Sequence, residues 1–103
     1  MKTTLDGFYP THPGEVLKDE LEERGISQRK FAESIGMGYS VLYEILNGKR
    51  PVTTNSALMF EAALDIPADS LLKLQMKYNM HTARKDNALV EKLKQIRRVA
   101  AML

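Results

Sequence analysis

Between Ser27 and Arg50 the chain concentrates side chains that make hydrogen bonds, in a pattern that does not resemble an activated nucleophile. Tyr39, Ser40, Tyr43 and Glu44 lie on one side of a short segment whose other side, Leu42, Ile45 and Leu46, is apolar. A helix mounted by that apolar side can enter a DNA major groove with its N-terminal residues on base edges. Gln28 stands at the start of the preceding segment, where a side-chain donor beside the positive helix end suits a phosphate oxygen. Asn47, Lys49 and Arg50 end the unit with further donors at backbone reach. Contacts of that kind position a protein on DNA without reading sequence, and they make binding salt-dependent. Tyr39 and Tyr43 have a plainer reading as half-buried aromatics. Their four-residue spacing beside an already filled inner face favours the groove.

Two short helices joined by a tight turn must hold these residues. Ser27 is a good N-cap, with its hydroxyl placed to accept the backbone N–H of Lys30. Phe31, Ala32 and Ile35 form an inner face, Ala32 is small enough for a close helix crossing, and Gly36 can turn the chain in the left-handed conformation. The second helix is predicted over about Tyr39–Asn47, closed by Gly48 and barred from continuing by Pro51.

Upstream, residues 1–11 read as a short arm, and a helix begins at His12-Pro13-Gly14-Glu15 with Val16, Leu17 and Leu21 as its apolar stripe. It ends at Arg24-Gly25. Downstream, Thr53 opens a fourth helix with Ala57, Leu58, Phe60 and Ala63 as apolar positions, broken by Asp65-Ile66-Pro67. A fifth restarts at Asp69 or Ser70 and contains Leu71, Leu72, Leu74, Gln75 and Tyr78. From about Asn87 a last helix carries Leu89, Leu93, Ile96, Ala100 and Leu103, a heptad seam of two repeats. No strand-like alternation occurs. The class is all-α, organised as an arm (1–11), a helix-turn-helix domain (12–80) and a C-terminal helical extension (81–103).

Composition narrows the chemistry further. With no cysteine there is no disulfide framework, thiolate metal site or cysteine nucleophile, which suits a reducing cytoplasm. No apolar run reaches membrane-span length, so no membrane partner is expected. His12 reads as a cap residue and His81 as a surface one, far apart and without an HExxH pattern, so no metal or other cofactor is expected. Nothing resembles a glycine-rich phosphate loop or an activated nucleophile, and no enzymatic activity is expected. The formal charge of +2 is unevenly spread: residues 1–46 hold five Lys/Arg against eight Asp/Glu, and residues 47–103 ten against five. A basic side can face phosphate while an acidic side stays free for something else.

The pattern Ser-Gln-x-x-Phe-Ala-x-x-Ile-Gly (27–36), followed by Asn-Gly-Lys-Arg (47–50), resembles the Xre family of phage-repressor-like helix-turn-helix proteins. His12-Pro-Gly-Glu-x-Leu17, Thr53-x-x-x-Ala-Leu58, Leu72-x-Leu-Gln-x-x-Tyr78 and Ala83-Arg84 extend the likeness to the HigA-type antitoxins, over roughly residues 12–85. The resemblance implies a five-helix repressor domain, to which the last helix read above is an addition, a homodimer, a palindromic operator in double-stranded DNA and a ribonuclease toxin partner of the HigB type. It places base reading on Gly38, Tyr39, Ser40 and Glu44, flanked by Val41 and Tyr43, and phosphate binding on Gln28, Asn47, Lys49 and Arg50.

The chain departs from the family in two places. The recognition helix has no arginine where relatives usually carry one, so guanine readout through arginine is not expected. Glu44 would repel phosphate but can accept from cytosine N4. Leu71 stands where relatives often have an aromatic residue.

The toxin of such a pair binds polyanionic RNA and should be basic. Glu15, Asp19, Glu20, Glu22 and Glu23 form the most negative stretch in the chain and would complement it if they face outward. A solvated helix face explains the same charges. Leu89, Leu93 and Ile96 are the expected dimer seam, with the fifth helix as the competing surface. The favoured function is an operon-repressing antitoxin. A stand-alone repressor of the same fold, or an interaction module that has lost DNA binding, are the alternatives.

Overall fold

The computed structural model describes residues 9–103, and every regular element among them is a helix. In chain order these are α1 (Pro13–Glu23), α2 (Gln28–Ser34), α3 (Tyr39–Leu46), α4 (Thr54–Leu64), α5 (Ala68–Arg84) and α6 (Asn87–Ala100). The expected all-α class, five helices and a C-terminal sixth, is the one found. Residues 1–8 of the expected arm lie outside the described residues. The boundary drawn at residue 80 falls inside α5, which runs unbroken to Arg84.

Short-range chemistry sets most helix starts. His12 caps α1 in an extended conformation, its Nδ1 accepting the Gly14 N–H at 2.9 Å, with Pro13 at the first helical position. The Ser27 hydroxyl accepts the Lys30 N–H at 3.3 Å to open α2. Thr53 and Ser56 bond reciprocally across the start of α4. Caps of this type are each worth about 1 kcal/mol. The start of α5 differs. Pro67 makes no side-chain cap, and the Glu61 carboxylate of α4 accepts the Ala68 N–H at 2.9 Å instead. That borrowed acceptor lets α5 begin at Ala68, ahead of the expected Asp69 or Ser70.

One core joins the first five helices. Leu17 and Leu21 of α1, Phe31 and Ala32 of α2, and Leu42, Ile45 and Leu46 of α3 are buried together with Val52, Ala57, Phe60, Leu64, Ala68 and Leu71. The Phe31 and Phe60 rings stack with centroids 6.3 Å apart, and truncating a core phenylalanine to alanine costs about 3–5 kcal/mol. Two of the apolar positions of α4 are exposed: Leu58 is 52% exposed, and Ala63 also faces solvent. The helix turns about 100° per residue, so the face through Ala57, Phe60 and Leu64 leaves both on its flanks. Leu71, the departure from the aromatic of relatives, is fully packed at 1% exposure.

Gln75 is a buried polar residue with a structural task. Its Oε1 accepts the Val52 N–H at 2.8 Å, and its Nε2 donates to Asn79 Oδ1 at 2.9 Å. It satisfies a backbone donor of the segment that leaves α3, which would otherwise be buried without a partner at a cost of about 1–3 kcal/mol.

The sixth helix stands apart. Asp86 caps it, its Oδ1 accepting from the Ala88 and Leu89 N–H groups, yet α6 buries no residue and packs chiefly against α5. The radius of gyration is 17.3 Å and the longest extent 56 Å. A compact chain of this length would have a radius near 13 Å. The excess comes from α6 projecting away from the five-helix body.

Candidate nucleic-acid interface

The recognition unit is fixed from behind by close contacts. Gly36, at φ +70°, reverses the chain between α2 and α3, and the Met37 N–H returns to the Ala32 carbonyl at 2.9 Å. On the other side α1 meets α3 at Gly14. A Cβ there would lie 1.8 Å from the Ile45 carbonyl oxygen, so only glycine permits this approach. His12, 3% exposed, sets its ring edge against Tyr78 at 4.8 Å and lies beside Gly48, just beyond the end of α3. Burial holds its pKa below the ordinary histidine value, while the charge of Glu15 pulls the other way. His12 is a cap, as expected. His81 is half-buried, not a surface residue: its ring packs edge-on to Tyr9 with centroids 5.2 Å apart, and among the described residues its Nε2 has no hydrogen-bond partner.

With Leu42, Ile45 and Leu46 inward, α3 presents Ser40 and Tyr43 to solvent, with Glu44 half-buried beside them. Gly38 is the N-cap, in extended conformation and without a side-chain bond, so its backbone is uncovered at the tip. Tyr39, the first residue of α3, divides between two roles. It packs partly against the core, and its ring lies 6.1 Å from that of Tyr43. Lys49 is exposed, and Gln28 is half-buried at the first turn of α2.

Two of the expected phosphate donors are already engaged. Asn47 Nδ2 donates to the Tyr43 carbonyl at 2.8 Å, closing the end of α3, which leaves one of its two N–H groups. Arg50 donates from Nε and Nη2 to a single oxygen of Glu44, at 2.9 and 2.7 Å. The free carboxylate expected to repel phosphate is therefore neutralised, and the arginine expected at phosphate is bound to it.

Arg29 was missed in the sequence reading. Its guanidinium lies over the Tyr39 ring, 4.2 Å from the centroid, and among the described residues its N–H groups have no hydrogen-bond partner. The signal was the arginine one position after Gln28. Sequence spacing alone cannot show that a side chain of α2 reaches across the turn onto α3.

The acidic residues of α1 are placed unevenly. Glu15, Asp19, Glu22 and Glu23 are exposed. Glu20 is half-buried and accepts from Arg24 Nε at 2.6 Å, and Arg24 also donates to the Leu64 carbonyl, fastening α1 to α4. Glu15 lines a cleft of about 300 Å³ with His12, Asn47 and Gly48, so the acidic face starts beside the recognition unit and not on the opposite side of the molecule. In α6, Leu89 and Leu93 are half-buried, and Ile96 is 50% exposed.

A helix-turn-helix family model matches residues 17–71, the stretch from α1 into α5. Virulence-associated protein I of Dichelobacter nodosus is 32% identical over 76 residues, 73% of this chain and 70% of its own length. A solved structure from Nostoc punctiforme, assigned as an antidote protein of a plasmid maintenance system, superimposes with a TM-score of 0.74 at 31% identity, over 86% of this chain and 96% of that one. The Pseudomonas aeruginosa antitoxin HigA, solved with the higBA promoter, gives a TM-score of 0.71 at 31% identity, over 84% of this chain and 90% of that one. No helix among the described residues is long and apolar enough to cross a membrane. A core-mounted α3 with an uncovered polar face, together with a family match over more than half its length, means that the chain belongs to the Xre-like helix-turn-helix family.

Proposed function

We propose that this protein is the antitoxin of a type II toxin–antitoxin pair, binding operator DNA as a dimer and neutralising a HigB-type ribonuclease. The observation that carries the DNA half is α3 itself. Its apolar side is buried against α1 and α2, its outward side is hydroxyl-rich, and its N-terminus projects beside cationic side chains. The likeness to the HigA antitoxin solved with its promoter supports the same reading. The base-reading set is Gly38, Tyr39, Ser40, Tyr43 and Glu44; Gln28 and Lys49 are the backbone contacts, joined by the remaining N–H of Asn47, while Arg50 is held in reserve by Glu44. One recognition helix reads too few base pairs to select a site, so two copies about 34 Å apart are needed to reach successive major grooves.

The toxin half rests on the exposed carboxylates of α1, at Glu15, Asp19, Glu22 and Glu23, which would complement a basic ribonuclease rim. Glu20 contributes less, because Arg24 already holds it.

The test pairs the chain with the product of an adjacent small basic gene. Co-expression should rescue growth from that toxin, and the pair should co-purify and shift their own promoter. Reversing Asp19, Glu22 and Glu23 to lysine should slow toxin association, most at low salt, without loss of promoter binding. Promoter binding with no toxin beside the gene and no rescue would make the chain a stand-alone repressor.

A further inference from the structure

We propose that Arg29 is a base-reading residue, the arginine that α3 itself lacks, delivered from α2 and held over Tyr39 to read a guanine. This rests on the DNA-binding reading above and adds to it a residue and the base it selects.

Three observations meet at this side chain. Its guanidinium lies 4.2 Å from the centroid of the Tyr39 ring. Among the described residues no carboxylate or carbonyl accepts from it, although Glu33 stands one helical turn away on α2. By contrast Arg24 and Arg50, its neighbours in the first half of the chain, are both spent on ion pairs. Tyr39 is the first residue of α3, directly after the uncovered Gly38 cap.

Stacking on a tyrosine face fixes the plane of a guanidinium and leaves its N–H edge free. That edge matches the O6 and N7 acceptors of guanine in the major groove. A phosphate would suit the same fork, but the stack draws the group towards the first turn of α3, the part of a recognition helix that approaches base edges. Tyr39 thus acts as the platform. Its half-burial against the core gives the arginine a rigid support that a flexible surface side chain would not.

A pool of randomised DNA duplexes, selected with the full-length wild-type chain and sequenced, should yield a motif with an invariant guanine. Selection with Arg29→Ala should return the same motif with that one position relaxed. On the wild-type duplex R29A should lose about tenfold or more in affinity, and changing the guanine should cost the wild type the same factor but cost R29A nothing. Arg29→Lys, which keeps the charge and loses the fork, should behave like R29A at that position, and Tyr39→Ala should relax it too. A motif unchanged in R29A, with equal weakening on every duplex and a salt slope shallower by about one unit, would make Arg29 a phosphate contact and overturn the proposal. Binding of R29A indistinguishable from wild type would overturn it as well. A wild-type chain that enriches no motif would overturn the DNA-reading function itself, and with it this assignment.

Discussion

Arg50 holds Glu44 through one oxygen, with Nε and Nη2 both reaching Oε1, at 2.9 and 2.7 Å. Among the described residues the second carboxylate oxygen has no such partner, so Glu44 can still accept from an exposed base amine while its charge is largely cancelled. Both side chains are nearly half exposed, at 44% and 49%, and an ion pair in that setting contributes at most about 1 kcal/mol to folding. Its effect belongs to binding. Glu44→Gln should release Arg50 towards the backbone, raise affinity for all duplexes and steepen the salt slope by about one unit. If Glu44 reads a base as proposed, selectivity at that base should fall by about 1–3 kcal/mol. Anisotropy titrations at several salt concentrations measure both. An unchanged slope would mean that Arg50 stays off the phosphates even when free.

Gly14→Ala separates helix propensity from close packing. In an exposed helix this change would stabilise by about 1 kcal/mol. Here the new Cβ would meet the Ile45 carbonyl oxygen, a backbone atom of α3, and overpacking of this kind costs about 1–3 kcal/mol or more. Thermal denaturation should show Tm lowered by roughly 5–20 °C, with DNA binding weakened because α3 is displaced. A raised Tm would show that α1 and α3 do not meet in this way.

His12 makes stability depend on pH. Its pKa in the folded chain is lowered, chiefly by burial, against the 6.5 of an ordinary histidine. The unfolded chain therefore takes up the proton first as pH falls, and the contribution present near neutrality is lost from about pH 6.5 downward until the folded state also protonates. Protonation would also convert Nδ1 from acceptor to donor and end the cap on Gly14. Urea denaturation should show stability falling between neutral and mildly acidic pH. His12→Asn, which keeps a capping acceptor without a titratable group, should be less stable at pH 7.5 but flatter over that range. Equal slopes for the two proteins would remove His12 as the cause.

The uncovered side of α6 bears on assembly. Leu93 is half-buried, while Ile96 and Val99 are at least half exposed. If a second copy covers that side, Leu93→Asp or Ile96→Asp should yield a folded monomer in sedimentation at micromolar concentration. Operator affinity should then fall, because two half-sites can no longer be held together. A dimer that survives both substitutions would move the interface to α5, where Met76 and Met80 are exposed.

What the sequence determined on its own was everything encoded within a few residues. Ser27, Thr53 and the His12-Pro13 start each bond or fit a backbone group two or three residues away, so their helix ends were legible from residue type alone. The spacing of Leu42, Ile45 and Leu46 likewise settled which side of α3 faces inward. Tertiary structure decided the contacts between residues far apart in the chain or on different helices. Glu61 caps α5 across a break, Gln75 satisfies Val52 from twenty-three residues away, and Gly14 admits the Ile45 carbonyl. The same holds for the interface: the outward face of α3 could be read from periodicity, but not that Arg50 is bound to Glu44 or that Arg29 lies on Tyr39. The physical reason is that helical periodicity constrains directions only within one element, about 100° per residue. Which long side chain reaches across to another element depends on how the helices cross, and that is set by the packing of the whole core.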